Sequence, residues 1–132
     1  MGRAFAVIHL DTNYLVLGSQ AGTPEAAALL RWLRDDEPLG TSAVAWMEFV
    51  TGPVPPDLVE LMRQAVGDRI LPFAQEEAEL AARLYNSGGR KRRLRYDCMI
   101  AAVAIGHGAR LATTNVGDFR SFAANNILAV EI

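Results

Sequence analysis

With 132 residues, 51% of them hydrophobic and 21% charged, the chain has the length and composition of one globular domain, and long disordered stretches are excluded. One cysteine rules out an internal disulfide, as suits a reducing cytoplasm, and one cysteine with two histidines rules out the usual structural zinc site. The formal net charge of −2 conceals an asymmetry: residues 90–95 carry five positive charges, leaving eight basic against fifteen acidic residues elsewhere.

Residues 4–10 are apolar and partly β-branched and lead into Asp11-Thr12-Asn13. This predicts a buried first strand running into a loop and not a signal peptide, since no cleavage-site pattern follows. Thr23-Pro24-Glu25 supplies an N-cap hydroxyl, a proline at the first helical position and an early acid, opening a helix to residue 34. Its apolar face is read as Ala26, Leu29, Leu30 and Leu33. Residues 39–41 read as a very short strand, and Ser42 caps a helix over 43–50 that Gly52-Pro53 stops. Pro56-Asp57 starts the next helix, striped by Leu58, Leu61, Met62 and Ala65.

Residues 69–72 read as a strand, 75–86 as a helix ended by Ser87-Gly88-Gly89, and 96–106 as a small-residue helix suited to close packing. A strand over 109–113, a short helical turn over 115–122 and a last strand over 127–132 complete the chain. The uncharged run 98–109 is too short to span a membrane. No repeat or linker divides the sequence, so residues 1–132 read as one α/β domain. Strands alternating with helices predict a mainly parallel sheet of four to five strands with helices on both faces. Such sheets bind ligands at the carboxyl ends of their strands.

That rule gathers four acids. Asp11 directly follows the first strand. Glu48 is the lone charge in an apolar helix, where an unpaired carboxylate is costly and should face a cation, a metal or water. Asp97 opens a helix that leads into a parallel strand, so it arrives at the same edge, in a helical row with Ile100, Ala101 and Ala104. Asp118 follows the strand ending at residue 113. Each acid alone has an ordinary explanation, as a cap, a helix-dipole partner or a loop charge. Crowded together, they repel unless a cation neutralises them. Magnesium suits such a cluster, because it prefers oxygen ligands, keeps several waters and shares its shell with substrate phosphates.

The same residues resemble a known family. Leu10-Asp11-Thr12-Asn13 after an apolar strand resembles the opening motif of PIN-domain nucleases, and the helix with Trp46-Met47-Glu48-Phe49 resembles their second acidic position. Tyr96-Asp97-Cys98-Met99-Ile100-Ala101-Ala102 is similar to the third, and residues 111–119, Leu-Ala-Thr-Thr-Asn-Val-Gly-Asp-Phe, to the closing motif. In size and single-domain build the chain looks most like the VapC toxins of bacterial toxin–antitoxin pairs. The resemblance implies a cytoplasmic magnesium-dependent endoribonuclease, with manganese able to substitute, acting on RNA as a homodimer and neutralised by a small VapB-like antitoxin. It also implies that Asp11, Glu48, Asp97 and Asp118 hold metal, supported by Thr12, Thr113 and Asn115. His9 and Cys98 depart from the aliphatic and small residues expected at their places.

The run Arg90, Lys91, Arg92, Arg93 and Arg95 precedes Asp97 and is a candidate contact for the RNA backbone, since phosphate neutralisation dominates nucleic-acid affinity. It could equally dock an acidic antitoxin tail or be a solvated surface. Cys98 reads as a small buried thiol, His107 as a helix terminator, and Trp32 and Trp46 as core or dimer surface. No glycine-rich phosphate loop is present. Two other functions fit a parallel sheet edged with acids. One is a non-catalytic RNA- or partner-binding module. The other is a receiver-like signalling domain, disfavoured because its chemistry needs a lysine after a late strand and the only lysine is Lys91.

Overall fold

The computed structural model describes residues 6–120, 122 and 128–130. In chain order these form β1 (Ile8–Leu10), α1 (Thr12–Gly18), α2 (Pro24–Arg34), β2 (Leu39–Ser42), α3 (Ala43–Thr51), α4 (Pro56–Val66), β3 (Ile70–Leu71) and α5 (Gln75–Ser87). A single 3-10 turn (Arg92–Leu94) leads to α6 (Arg95–Gly106), β4 (Arg110–Ala112), α7 (Val116–Arg120) and β5 (Leu128–Val130). The five strands lie in the order β3-β2-β1-β4-β5, and every pairing is parallel.

This order decides where a ligand can bind. From β1 the chain steps to β2 and β3, then returns through α5 and α6 across the sheet to β4, on the other side of β1. Right-handed crossovers in opposite directions place their helices on opposite faces. A crevice therefore opens beyond the carboxyl ends of β1 and β4, where the direction of travel reverses. Asp11 N–H donates to the Ala112 carbonyl at 3.2 Å and the Thr41 hydroxyl to the Leu10 carbonyl at 2.7 Å, which ties the ends of β1, β2 and β4 together at that edge.

Local chemistry sets the helix starts. Thr23 Oγ1 accepts from Ala26 N–H at 3.0 Å with Pro24 at the first helical position, and Ser42 Oγ caps α3 through Ala45 N–H at 3.0 Å. Gly67, with φ +61°, ends α4 in the left-handed region that glycine enters without strain. Ile8, Leu10, Leu39, Leu111 and Ala112 are fully buried, so the central strands are covered on both faces, as a doubly covered parallel sheet requires. Among the described residues no helix is long and apolar enough to cross a membrane.

Two expectations differ from what is observed. The loop expected after β1 is the helix α1, which Asp11 caps by accepting from Tyr14 N–H at 2.8 Å. The apolar stripes of α2 and α4 are only partly core: Leu29 and Met62 are buried as expected, but Leu30, Leu33 and Leu61 are 68%, 42% and 51% exposed, and α2 buries Ala28 and Trp32 as well. These leucines line a groove of about 230 Å³ between α2 and α4, together with Met62 and Ala65. Trp32 is buried and stacks on Tyr14, whereas Trp46 is half-buried against Phe49, with the Arg63 guanidinium 5.6 Å from its ring centre. Residues 4, 5, 121, 127, 131 and 132 of the expected elements lie outside the described residues.

His9 sits at the centre of β1 between Gly40 and Leu111, is 1% exposed, and neither ring nitrogen has a hydrogen-bond partner among the described residues. Burial, and secondly the His107 charge, lower its pKa from 6.5 to about 4. The unfolded chain therefore takes up this proton first on acidification, and stability is lost as pH falls from about 6.5 towards 4. His9→Leu is expected to remove that loss and the cost of two unpaired nitrogens, roughly 1–3 kcal/mol. Its melting-temperature advantage over the wild type should widen between pH 7 and pH 5. An advantage that narrows on acidification would contradict the assignment.

Candidate metal centre at the carboxyl edge of the sheet

The crevice beyond β1 and β4 is a cleft of about 170 Å³ lined by Asp11, Thr12, Asn13, Glu48, Asp97, Ile100 and Asn115. Each element delivers its side chain for a local reason. Asp11 ends β1 and caps α1, so its backbone is fixed by the sheet and one carboxylate oxygen by Tyr14 N–H. Glu48 projects from α3, two turns after the Ser42 cap, and accepts from the Thr12 hydroxyl at 2.6 Å. Asp97 lies in the first turn of α6, whose Ile100, Ala101 and Ala104 are buried, as the expected helical row requires. Asp118 lies in the first turn of α7, and its Oδ1 accepts from the Arg93 guanidinium at 3.0 Å.

The supporting residues expected from the sequence are at the same edge. Thr113 is buried, accepts from Asn115 N–H at 2.9 Å, and shares a side-chain hydrogen bond with Asp11. Asn13 and Ile100 line the cleft without having been singled out as site residues. For Asn13 the available signal was a polar residue beside Thr12 at the start of a helix. Asp118 is not among the lining residues, and its salt bridge to Arg93 was not anticipated.

Electrostatics couple the acids. Burial pushes the Asp11 carboxyl up from 3.8 to about 6, against the hydrogen bonds from Thr113 and Tyr14, and the charges of Glu48 and Glu25 add to the rise. Burial likewise raises Asp97 to about 6, reinforced by Asp118, Asp11 and Glu48 and opposed by Arg93. Asp97 thus feels all three of the other acids, each drawn from a different stretch of chain. A site that disfavours its own negative charge is a site that favours a cation.

The donor chemistry fits a hard divalent ion. All the acidic groups are oxygen donors, and the nearby Thr12, Thr113 and Asn115 can hold the waters that magnesium retains. Among the described residues, no three acids, histidines or cysteines stand together as a ready-made ligand set. Three of the four acids already have protein partners, Asp11 in Tyr14 N–H, Glu48 in the Thr12 hydroxyl and Asp118 in Arg93. Magnesium does not need a closed cage, since one or two direct carboxylates suffice when phosphates and water complete the shell.

Other reactive groups lie apart from such chemistry. Cys98 is buried, and burial together with Asp97 pushes its thiol up, the reverse of an activated nucleophile. Within the basic run, Arg90 and Arg95 lie over the Tyr85 ring at 5.5 and 5.8 Å, and Arg90 also donates to Asn86. Lys91 and Arg92 are exposed, and Arg93 alone of the five reaches an acid of the rim.

The chain is similar to several known proteins. A 63-residue stretch is 41% identical to ribonuclease VapC1 of Rickettsia felis, spanning 46% of this chain and 47% of that protein, about half the length of the relative. The crystal structure of VapBC2 from Rickettsia felis bound to a promoter DNA fragment matches with a TM-score of 0.74 over 96% of this chain and 98% of its own, at 16% identity. FitAcB from Neisseria gonorrhoeae matches at 0.66, 22% identity, over 93% and 95%. Both likenesses are of fold. A toxin–antitoxin complex from Klebsiella pneumoniae matches at 0.65 with 25% identity over 96% and 99%. The PIN domain model matches residues 8–125, so this chain belongs to the PIN domain family.

Proposed function

We propose that the chain is a magnesium- or manganese-dependent endoribonuclease, the toxin of a VapBC-type pair. The observation that carries the reading is the cleft at the sheet's reversal point, where Asp11, Glu48 and Asp97 converge and Asp97 also feels Asp118. The family membership and the similarity to ribonuclease VapC1 support it.

In this reading Asp11 and Asp97 bind the ion most directly, because their charges are the least stable without one. Glu48, now held by Thr12, and Asp118, now paired with Arg93, would add their negative charge around it. The bound ion would activate a water for in-line attack and stabilise charge on the phosphate. Thr12 orients Glu48, Thr113 orients Asp11, and Asn115 at the cleft wall positions water or the substrate backbone. RNA enters as a single strand or loop, whose backbone meets the basic turn beside the cleft. The test is cleavage of single-stranded RNA with and without Mg²⁺, with fragment ends mapped. Cutting that persists in excess chelator would remove the metal-dependent mechanism.

The partner is proposed to be a VapB-like antitoxin, as several matching structures are toxin–antitoxin complexes. The groove between α2 and α4 supports this, since Leu30, Leu33 and Leu61 expose an apolar face of the kind that marks interaction sites. Charging it with Leu30→Glu and Leu61→Glu is expected to abolish co-purification with the antitoxin while metal-dependent cleavage remains. Undiminished co-purification would place the partner elsewhere. A homodimer in the cytoplasm completes the proposal, with the exposed Met47 and Val50 of α3 available as subunit contact.

A further inference from the structure

We propose that Arg93 is an exchangeable counterion of the active site: it pairs with Asp118 until a divalent ion takes that carboxylate, and is then released to a phosphate of the RNA strand. The inference rests on the metal-dependent reading above and assigns one residue a role in coupling metal loading to substrate binding.

The contact joins residues 25 apart in sequence. Arg93 Nη1 lies 3.0 Å from Asp118 Oδ1, across the gap between the 3-10 turn before α6 and the first turn of α7. The turn itself is pinned, because Leu94 is buried beneath it and Leu94 N–H donates to the Lys91 carbonyl. The side chain is not pinned: its exposure is 64%, against 32% for the aspartate. Arg93 therefore has one foot at the acidic rim and a guanidinium largely in water, where a strand entering the cleft would pass. Its neighbours differ, since Arg90 and Arg95 are laid over the Tyr85 ring.

The exchange is chemically reasonable on both sides. A guanidinium fork accommodates a carboxylate or a phosphate with the same two-pronged geometry. An ion pair this exposed shifts an equilibrium by no more than about fivefold, so a dication can displace it. Once Asp118 is shared with a dication, the guanidinium loses its local anion, and a nearby phosphate is the natural replacement. Arg93 also opposes the rise of the Asp97 pKa, so its charge acts on a second acid of the same rim.

The test measures Mn²⁺ binding by electron paramagnetic resonance and, separately, the salt dependence of binding a phosphorothioate single-stranded RNA in the presence of Mn²⁺. The proteins are the wild type, Arg93→Ala, Arg93→Lys, Arg92→Ala and Asp97→Asn, with folding checked by circular dichroism. Arg93→Ala is expected to bind Mn²⁺ roughly threefold to fivefold more tightly, the counterpart of losing a half-exposed ion pair. Its RNA-binding salt slope should fall by about 0.7, the single-strand value for one lost phosphate contact. Arg93→Lys should keep the salt slope, and Arg92→Ala should leave Mn²⁺ affinity within about twofold of wild type, the scale of a distant screened charge. An unchanged Mn²⁺ affinity in Arg93→Ala, an equal gain in Arg92→Ala, or an unchanged RNA slope in Arg93→Ala each overturns the exchange while leaving the metal site standing. If Asp97→Asn binds Mn²⁺ as tightly as wild type, the metal reading itself fails and the exchange fails with it.

Discussion

Asp97→Asn is expected to lower metal-dependent RNA cleavage by roughly 10²–10³-fold or more while leaving the fold intact, the scale at which single electrostatic contacts to a transition state act. The argument begins with the environment of the side chain. Asp97 is the acid whose charge is opposed by all three others, and it stands in the first turn of a helix locked by buried Ile100, Ala101 and Ala104. Asparagine keeps the shape and removes the charge, so the helix has no reason to move. What is lost is the negative potential that concentrates a dication and lowers the pKa of its water. The readout is initial cleavage rate against Mg²⁺ concentration, with circular dichroism as the control for folding. A variant that saturates at the wild-type rate at higher Mg²⁺ would mean that Asp97 binds the ion without shaping the reaction. A variant that cuts like the wild type at all concentrations would remove the assigned site.

How far the sequence reaches is visible in these same residues. Periodicity and caps placed the α2, α3, α4 and α5 helices closely, because Thr23, Ser42 and Pro56 act within one turn of their own positions. The arrival of Asp11, Glu48 and Asp97 at one cleft follows from the strand-edge rule, since parallel strands send their carboxyl ends to one edge and helices entering such strands begin there. Asp118 does not line that cleft. The sequence reads α1 as a loop, although a cap on a following helical turn is one ordinary explanation for Asp11, and that is the role its bond from Tyr14 N–H shows. The exposure of Leu30, Leu33 and Leu61 was hidden for a different reason. An apolar stripe reports which face avoids water in the working state of the protein, and a face kept for a partner has the same periodicity as a face kept for the core. Likewise the sequence showed that Arg93 is basic and near Asp97, but a salt bridge to Asp118 depends on the approach of α7 to the 3-10 turn, a tertiary distance that spacing does not encode.

A second large effect concerns stability in the absence of metal. Asp11→Asn is expected to make the protein more stable than wild type in EDTA at pH 8, by up to about 3 kcal/mol, the free-energy equivalent of a two-unit pKa shift. The sign follows from the direction of that shift. The folded pKa of Asp11 is raised from 3.8 to about 6 by burial first and by Glu48 and Glu25 after it. The stability this group contributes is therefore fully present below 3.8, where it is protonated in both states, and is lost as pH rises through about 6. Asparagine stays neutral throughout and can still accept the capping bond from Tyr14 N–H, so it escapes the penalty without surrendering the helix start. The advantage of Asp11→Asn should then be small near pH 4, grow through pH 6 and level off above it. Saturating Mg²⁺ should close the gap by raising the melting temperature of the wild type only, since an ion bound to the folded state alone stabilises it by mass action. A variant less stable than wild type at pH 8 in EDTA would mean that the Asp11 charge is already well compensated by protein groups. The cleft would then have no unmet demand for a cation, and the carboxylates would be structural.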